Sequence, residues 1–534
     1  AERYDALAAP GAAPGAAEAA RLLRVHEGFR VIALGLPVPE FPGFPLDPPL
    51  RSRFQARRAG DFPVIAGHLA ELRGRSPSVP LRVLERLVAF AHAIAGMAQA
   101  GTGAPGPRPW RLSTCGLETV CDLLTRFPLE SPTGLVHRAY PHALLEPSAA
   151  QACLDALVEV GLEVTSTKAE QVVPAPVYAL SAVATELAAR RPDIADGTAV
   201  AALQFCPFGG GADLVQVGVS VGSGGPSLRV VPPLVDVPSQ SSAVSAALQD
   251  IAQGRSVCLV GPGGEGKSVL ARRLAAALGY RPSEVYTLHA YKDMSSRDLF
   301  QRRGTDERGN TRWEPSPLLV AMRAGGLCIL DGLQRLRPDT IVALQGLCVD
   351  GVVDLPDGTR FCRRSRFAAA PGARGGGEES VALGTGRVMR LLPASFRVVA
   401  LAARPGKKAA DQWLSSDLLP MWAWHMLPRL GRDELAGVLE QRCPSPALGT
   451  LLRVASVLQD AVPRGAEGSA SHAGWTLSLR QLLRLGRRAA QHPAAMEEDV
   501  RRVCLAAFMP VATRRSFEAV VRQALAAGAG GAAG

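Results

Sequence analysis

Gly261, Pro262, Gly263, Gly264, Glu265, Gly266, Lys267 and Ser268 fit the spacing G-x-x-x-x-G-K-S/T without a mismatch. An apolar run, Val257-Cys-Leu-Val260, precedes them, and a helical pattern from Val269 to Leu278 follows. A strand that feeds such a loop into a helix is a site for the phosphates of a nucleotide. Backbone N–H groups and the helix N-terminus present partial positive charge, and a lysine adds a full one. In that chemistry Lys267 bridges the β- and γ-phosphates and the Ser268 hydroxyl ligates a magnesium ion, so ATP and Mg²⁺ are the expected cofactors. The bland alternative, a Gly-rich surface loop, does not account for strand and helix in the required order.

Further along, Leu327-Cys-Ile-Leu-Asp331 reads as a buried strand ending in a carboxylate, which can reach the metal through water; an aspartate there can also cap a turn. The next residue is Gly332, where an active ATPase of this type usually carries a glutamate. Loss of a positioned general base costs roughly 10²- to 10⁴-fold in rate. Glu265, inside the loop, is expected to face solvent or the flank of the nucleotide and not to substitute. Arg480, in Ser478-Leu-Arg-Gln-Leu-Leu-Arg484, is the candidate to fold over the γ-phosphate from a helical lid; a solvated helix arginine is the alternative. Arg53, in Arg51-Ser-Arg-Phe54, is a candidate to reach a neighbouring module's nucleotide, although spacing alone favours a surface salt-bridge arginine. Trp422, Trp424 and His425 lie in an aromatic and methionine stripe that reads as core packing rather than a ligand set. The remaining histidines have no metal-ligand spacing, and no Ser–His–Asp or Cys–His arrangement stands out.

The elements that must position these residues follow from periodicity. Phe29 to Leu34 reads as a buried parallel strand, and helices are predicted over Val79–Ala95, Gly116–Phe127 and near Ala149–Val160. Leu7 to Ala20 and Ala100 to Pro109 read as loops. Leu214 to Val221 alternates with period two; with Val200–Phe205 and Leu228–Val231 it suggests a small antiparallel β element. From Ser239 a new α/β unit begins: helix, strand, phosphate loop, helix, a strand at Glu284–Leu288, a helix at Leu318–Arg323 and the Leu327 strand. A helix over Pro338–Leu347 and a hairpin turning at Pro356-Asp-Gly358 come next. Ala368 to Gly386 reads as a flexible insertion, Phe396–Leu401 as a fourth strand and Asp433–Leu525 as all-helical. Glu27-Gly-Phe-Arg-Val-Ile-Ala-Leu34 echoes Ala394-Ser-Phe-Arg-Val-Val-Ala-Leu401, so the chain reads as the tail of one α/β-plus-helices module followed by a whole copy.

Composition sets outer limits. The chain has 534 residues, 47% of them hydrophobic, enough for two to four domains with ordinary cores. No uninterrupted apolar run approaches the length of a membrane span, so a soluble protein is expected. A net charge of +11 invites a nucleic-acid reading, but the arginines are scattered and aromatics make up only 5%, so no specific nucleic acid is expected. The ten cysteines include no C-x-x-C pair, and Cys258, Cys328 and Cys348 sit in apolar runs; buried thiols are expected rather than disulfides or a zinc site. The first residue is Ala1 rather than methionine, which suggests an internal fragment or a processed product.

The ordered set of phosphate loop, Asp298-Leu-Phe300, Pro317 to Met322, Cys328 to Asp331, Leu355-Pro-Asp-Gly-Thr359, Phe396 to Ala400 and Ser478 to Leu483 resembles the AAA+ ATPases of the dynein- and midasin-related branch. Within it, Ala1-Glu-Arg-Tyr4, Phe29 to Pro39, Leu46 to Ala56, Tyr291-Lys-Asp-Met294 and Leu330-Asp-Gly332 are similar to the members that end in a von Willebrand A domain. The resemblance implies an α/β P-loop AAA+ parallel sheet with a helical lid, preceded by the C-terminal part and lid of another AAA+ module and a small β element. It places the end of a first module and its lid in residues 1–165, a linker with the β element in 166–238, the α/β core in 239–430, a second lid in 431–525 and an Ala/Gly tail in 526–534. It also implies ATPase activity, other AAA+ modules of the same chain or ring as partners and a mitochondrial, otherwise cytoplasmic, location. By position Lys267 and Ser268 take the phosphate-loop roles, Asp331 the metal carboxylate, Arg480 the lid arginine and Arg53 the trans-acting arginine. Two departures weaken hydrolysis at this site: Gly332 replaces the glutamate, and Leu401-Ala-Ala403 offers no polar side chain after the fourth strand.

Overall fold

The computed structural model describes residues 25–35, 52–57, 65–99, 109–162, 200–205, 215–224, 235, 237–369, 380–382, 387–406, 412–445, 447–461, 475–492 and 495–529. Contacts divide the chain into two units, Ala1–Asp61 and Phe62–Gly534. The loop read over Leu7–Ala20, the third strand of the small β element at Leu228–Val231 and most of the Ala100–Pro109 loop lie outside the described residues.

In the first unit the expected strand at Phe29–Leu34 does not form. The segment has no regular structure, and Ile32 and Leu34 are 86% and 96% exposed. A run that is apolar on both faces becomes a strand only between partners that take its N–H and C=O groups, and no described residue of this unit pairs with it.

The second unit begins with helices α1 (Ile65–Arg75), α2 (Leu81–Gln99), α3 (Thr114–Arg126), α4 (Pro132–Ala139) and α5 (Pro147–Glu159). Helix α3 shows why they form. The Ser113 hydroxyl caps it by accepting from the Gly116 N–H, and Leu117, Val120, Cys121 and Leu124 make a buried stripe at helical spacing. Helices α1 and α4 were not anticipated; α4 is short and opens on Ser131-Pro132, a cap and first-turn proline. Strands β1 (Val200–Phe205) and β2 (Val215–Ser220) pair antiparallel as expected.

Helix α6 (Pro238–Ala252) leads into β3 (Val257–Val260) and α7 (Lys267–Ala277). Then come β4 (Val285–His289), β5 (Gln301–Thr305), β6 (Thr311–Pro315), α8 (Pro317–Ala324), β7 (Leu327–Asp331) and α9 (Pro338–Val342). Instead of continuing to Leu347, α9 ends and a wider π turn covers Gly346–Asp350. Strands β8 (Val352–Asp354) and β9 (Thr359–Cys362) form the predicted hairpin, with Gly358 at φ 86° in its turn. A short helix α10 (Arg364–Ala368) follows, then β10 (Ser380–Ala382) and β11 (Val388–Leu391), which pair antiparallel. The stretch read as a flexible insertion therefore contributes a strand, because β11 lies alongside β9 and offers it an edge.

Strands β12 (Arg397–Ala402) and β13 (Ala423–Met426) complete the main sheet, whose order is β13-β3-β12-β7-β4, all parallel. Alternate residues face opposite sides. Val257, Leu259, Ile329, Val399 and Leu401 join one core with helices α2 to α6, while Cys258, Val260, Cys328, Leu330 and Ala400 join another. The aromatic stripe is packed in the core, as its composition suggests, but as strand β13, with the Trp424 indole donating to Leu419 O at 3.1 Å. Helices α11 (Arg432–Arg442), α12 (Leu448–Asp460), α13 (Leu479–Gln491), α14 (Met496–Val503) and α15 (Val511–Ala529) form the expected all-helical end around Leu451, Leu458, Trp475 and Phe517. Among the described residues no helix is long and apolar enough to cross a membrane.

Candidate nucleotide-binding site

The phosphate loop connects β3 to α7 at the C-terminal edge of the parallel sheet. Its first N–H, on Gly261, donates to Ala402 O at 3.1 Å, which ties the loop to the end of β12. Gly264 and Gly266 adopt φ of 84° and 96°, a left-handed backbone that glycine reaches without penalty. Among the described residues, none of the N–H groups of Gly263 to Gly266 donates to a backbone carbonyl. A set of N–H groups without backbone partners at a helix N-terminus fits an anion such as a nucleotide's phosphates.

Lys267 begins α7 and curls over its own loop, its Nζ donating to Gly261 O at 2.6 Å and Pro262 O at 2.7 Å. Burial holds its pKa below the usual lysine value, against the pull of Asp331 and Glu265 and with the push of Arg480. Of the residues predicted to converge, Asp331 and Arg480 lie close enough to act on the charge of Lys267. Ser268 sits half-buried in the first turn of α7. Asp331 ends β7, with one carboxylate oxygen 3.5 Å from Nδ1 of His289. His289 was not anticipated; it ends β4 directly opposite Asp331, a register that emerges only once the strands pair.

Two expectations change. Glu265 does not face solvent: it is 5% exposed and accepts a hydrogen bond from the Leu479 N–H at the start of α13. Burial raises its pKa, with Arg429, the Leu479 bond and Lys267 opposing. The reason is the lid. The Arg480 N–H donates to Gly264 O at 3.1 Å, and a Cβ on Gly264 would stand 2.8 Å from Ser478 Oγ. The capped N-terminus of α13 is thus seated on the phosphate loop. Gly332 also does more than lack a side chain. It sits at φ 91°, and a Cβ there would lie 3.3 Å from Cδ and Nε of Arg335, whose guanidinium also reaches Ala290 O at 3.4 Å.

After the fourth strand Ala402 and Ala403 offer no polar side chain, as the sequence indicates. A side chain from elsewhere reaches that place: the Ala403 N–H donates to Oε1 of Gln334 at 3.1 Å. Arg53 belongs to the other unit, where it is an exposed turn residue. Among the described residues no cluster of His, Cys, Asp and Glu could hold a metal by itself, so Mg²⁺ would have to come with the phosphates.

Comparisons with known proteins show what the chain is similar to. The AAA domain of the dynein-related subfamily matches residues 256–420. Von Willebrand factor A domain-containing protein 8 of Mus musculus is 30% identical over 526 residues, which is 97% of this chain but 26% of that protein. This chain therefore spans about a quarter of the length of that relative. Denitrification regulatory protein NirQ of Stutzerimonas stutzeri is 36% identical over 97 residues, covering 18% of this chain and 34% of that one. A RuvB mutant of Thermotoga maritima overlaps 52% of this chain and 72% of its own at 13% identity, with a TM-score of 0.30. Residues 256–420 thus match the AAA domain of the dynein-related subfamily, and nearly the whole chain is similar to von Willebrand factor A domain-containing protein 8.

Proposed function

We propose that this chain binds Mg-ATP at the phosphate loop and works as one part of a multi-module ring ATPase, in which nucleotide state moves the lid against the core. The observation that carries the reading is the convergence of Lys267, Asp331 and the α13 N-terminus on one glycine-rich donor loop. Lys267 pairs with the β- and γ-phosphates, leaving Gly261 O and Pro262 O when they arrive. The Ser268 hydroxyl and, through water, Asp331 would hold Mg²⁺, whose charge neutralises the phosphate oxygens. Arg480, one residue past the Leu479 N–H held by Glu265, adds positive charge from the lid in this reading. Residues 1–165 are assigned to the end and lid of a preceding module and residues 239–525 to a complete one, with Arg53 serving a neighbouring nucleotide. A mitochondrial location is proposed on the resemblance alone.

A second reading has a specific observation behind it. Gly332 holds no base, its flank is filled by Arg335, and the fourth strand ends in alanines. The site then holds ATP with little turnover, and hydrolysis belongs to other modules. Calorimetry separates binding from turnover. The wild-type chain is expected to bind Mg-ATP and Lys267→Ala to lose that binding; equal affinity in both would remove the site assignment. Phosphate release by the full-length protein, with and without Lys267→Ala, then reports whether this site contributes to turnover.

A further inference from the structure

Resting on the reading that this loop holds ATP, we propose that Gln334 is the γ-phosphate contact of the site, its amide N–H₂ replacing the polar side chain that the fourth strand lacks. Gln334 lies in the single 3₁₀ turn Leu333–Arg335 that follows β7. Its carboxamide orientation is fixed by chemistry. The Ala403 N–H can only donate, so the oxygen of Gln334 faces it at 3.1 Å and the N–H₂ group points the other way.

The amide is held where three chain segments meet. Ala402 O, adjoining its anchor, accepts from the first N–H of the phosphate loop, and Leu401 O accepts from the Gly332 N–H beside the metal carboxylate. A γ-phosphate held by this loop would lie beyond the C-terminal ends of β7 and β12, beside these bonds. The side chain is half-buried, so its donors remain open to a ligand.

The alternatives at this edge are less suited. Gly332 has no side chain, the side chains of Ala402 and Ala403 have no polar atoms, and Arg335 is turned back over Gly332 toward Ala290 O. Gln334 therefore offers the neutral donor pair that distinguishes a terminal phosphate from its absence. It anchors on the fourth strand by its oxygen while belonging to the turn after the third.

The test measures calorimetric affinity for a non-hydrolysable ATP analogue and for ADP, each with Mg²⁺, in the wild-type chain and in Gln334→Ala and Gln334→Glu. Gln334→Glu keeps an acceptor for the Ala403 N–H while replacing the donors by a negative charge, so it guards against a simple folding failure, and Gln334→Ala reports the loss of the donors without that charge. Both variants are expected to lose about tenfold or more in analogue affinity, the worth of a hydrogen bond to a charged group, while ADP affinity stays unchanged. An unchanged analogue-to-ADP ratio overturns the proposal, as does an equal loss for both ligands, which marks a structural role. Wild-type affinity from Gln334→Glu also overturns it. A wild-type chain that binds neither nucleotide overturns the nucleotide reading itself, a result distinct from all of these.

Discussion

Gly332 shows how much a single residue can conceal. Its sequence position says only that the expected glutamate is missing, and the obvious repair is to restore it. Its backbone says that repair has a cost. At φ 91° an L side chain loses roughly 1–2 kcal/mol, so Gly332→Ala is expected to lower stability by about that amount in chemical denaturation. Unchanged stability would show that the turn relaxes readily to an ordinary backbone. Gly332→Glu meets the same strain and a guanidinium 3.3 Å away that will pair with the new carboxylate. Phosphate release should therefore rise less in Gly332→Glu than in Gly332→Glu with Arg335→Ala; equal rates would mean that Arg335 does not hold the carboxylate. The identities at the site were legible because motif residues are local: Lys267, Ser268 and Asp331 need only their neighbours in sequence to be recognised. His289, Gln334 and Arg335 were not, because each acquires its meaning from a partner on another strand or turn.

At the scale of elements, the lid is the part whose contact with the site exceeded expectation. The sequence points to Arg480 as a side chain over the γ-phosphate, yet the docking is made first by backbone. Leu479 and Arg480 N–H groups, spare donors at the start of α13, go to Glu265 and to Gly264 O. Ser478 and Gln481 close the cap reciprocally, with Ser478 N–H donating to Gln481 Oε1 at 2.9 Å. This capping box was visible as Ser-x-x-Gln, but nothing in it says that the cap rests on a phosphate loop. Glu265→Ala removes the acceptor of the Leu479 N–H, and hydrogen exchange at that amide should accelerate by about tenfold or more, as expected for losing a bond to a charged group. Exchange that stays slow would mean that the α13 N-terminus is held by its cap alone. The same dependence on partners explains Phe29–Leu34: its apolar pattern matches β12, but β12 lies between β3 and β7 while Phe29–Leu34 has no described neighbour.

For the second unit as a whole, the question is what joins the N-terminal helices to the nucleotide site. The answer is a buried polar knot that the sequence does not advertise, since its members come from the turn before α4, from α4, α6, the turn after α6 and β13. Asp250 is fully buried and pairs with Arg255 at 2.8 Å and with Nε2 of His425 at 3.1 Å. Arg138 approaches the same carboxylate at 3.8 Å and donates to Gln249 Oε1 at 2.7 Å, while Gln249 donates to Glu130 at 2.7 Å. His425 stands on β13, and two residues on, the Leu427 N–H donates to Val260 O at the last residue before the phosphate loop. One carboxylate therefore ties the preceding helices to the strand pair beneath the nucleotide site. Burial alone would raise its pKa, but Arg255, His425 and Arg138 outweigh that and hold it at about 2. Removing one partner from such a buried set leaves the others uncompensated, so Asp250→Ala is expected to cost about 3–5 kcal/mol in chemical denaturation at neutral pH. Because the folded pKa lies below the ordinary value of 3.8, the native contribution is complete above that pH and is lost as the pH falls toward 2. The gap between wild type and Asp250→Ala should narrow over the same window. A gap under about 1 kcal/mol at neutral pH, the size of an exposed pair, would mean that the knot does not join the helices to the sheet.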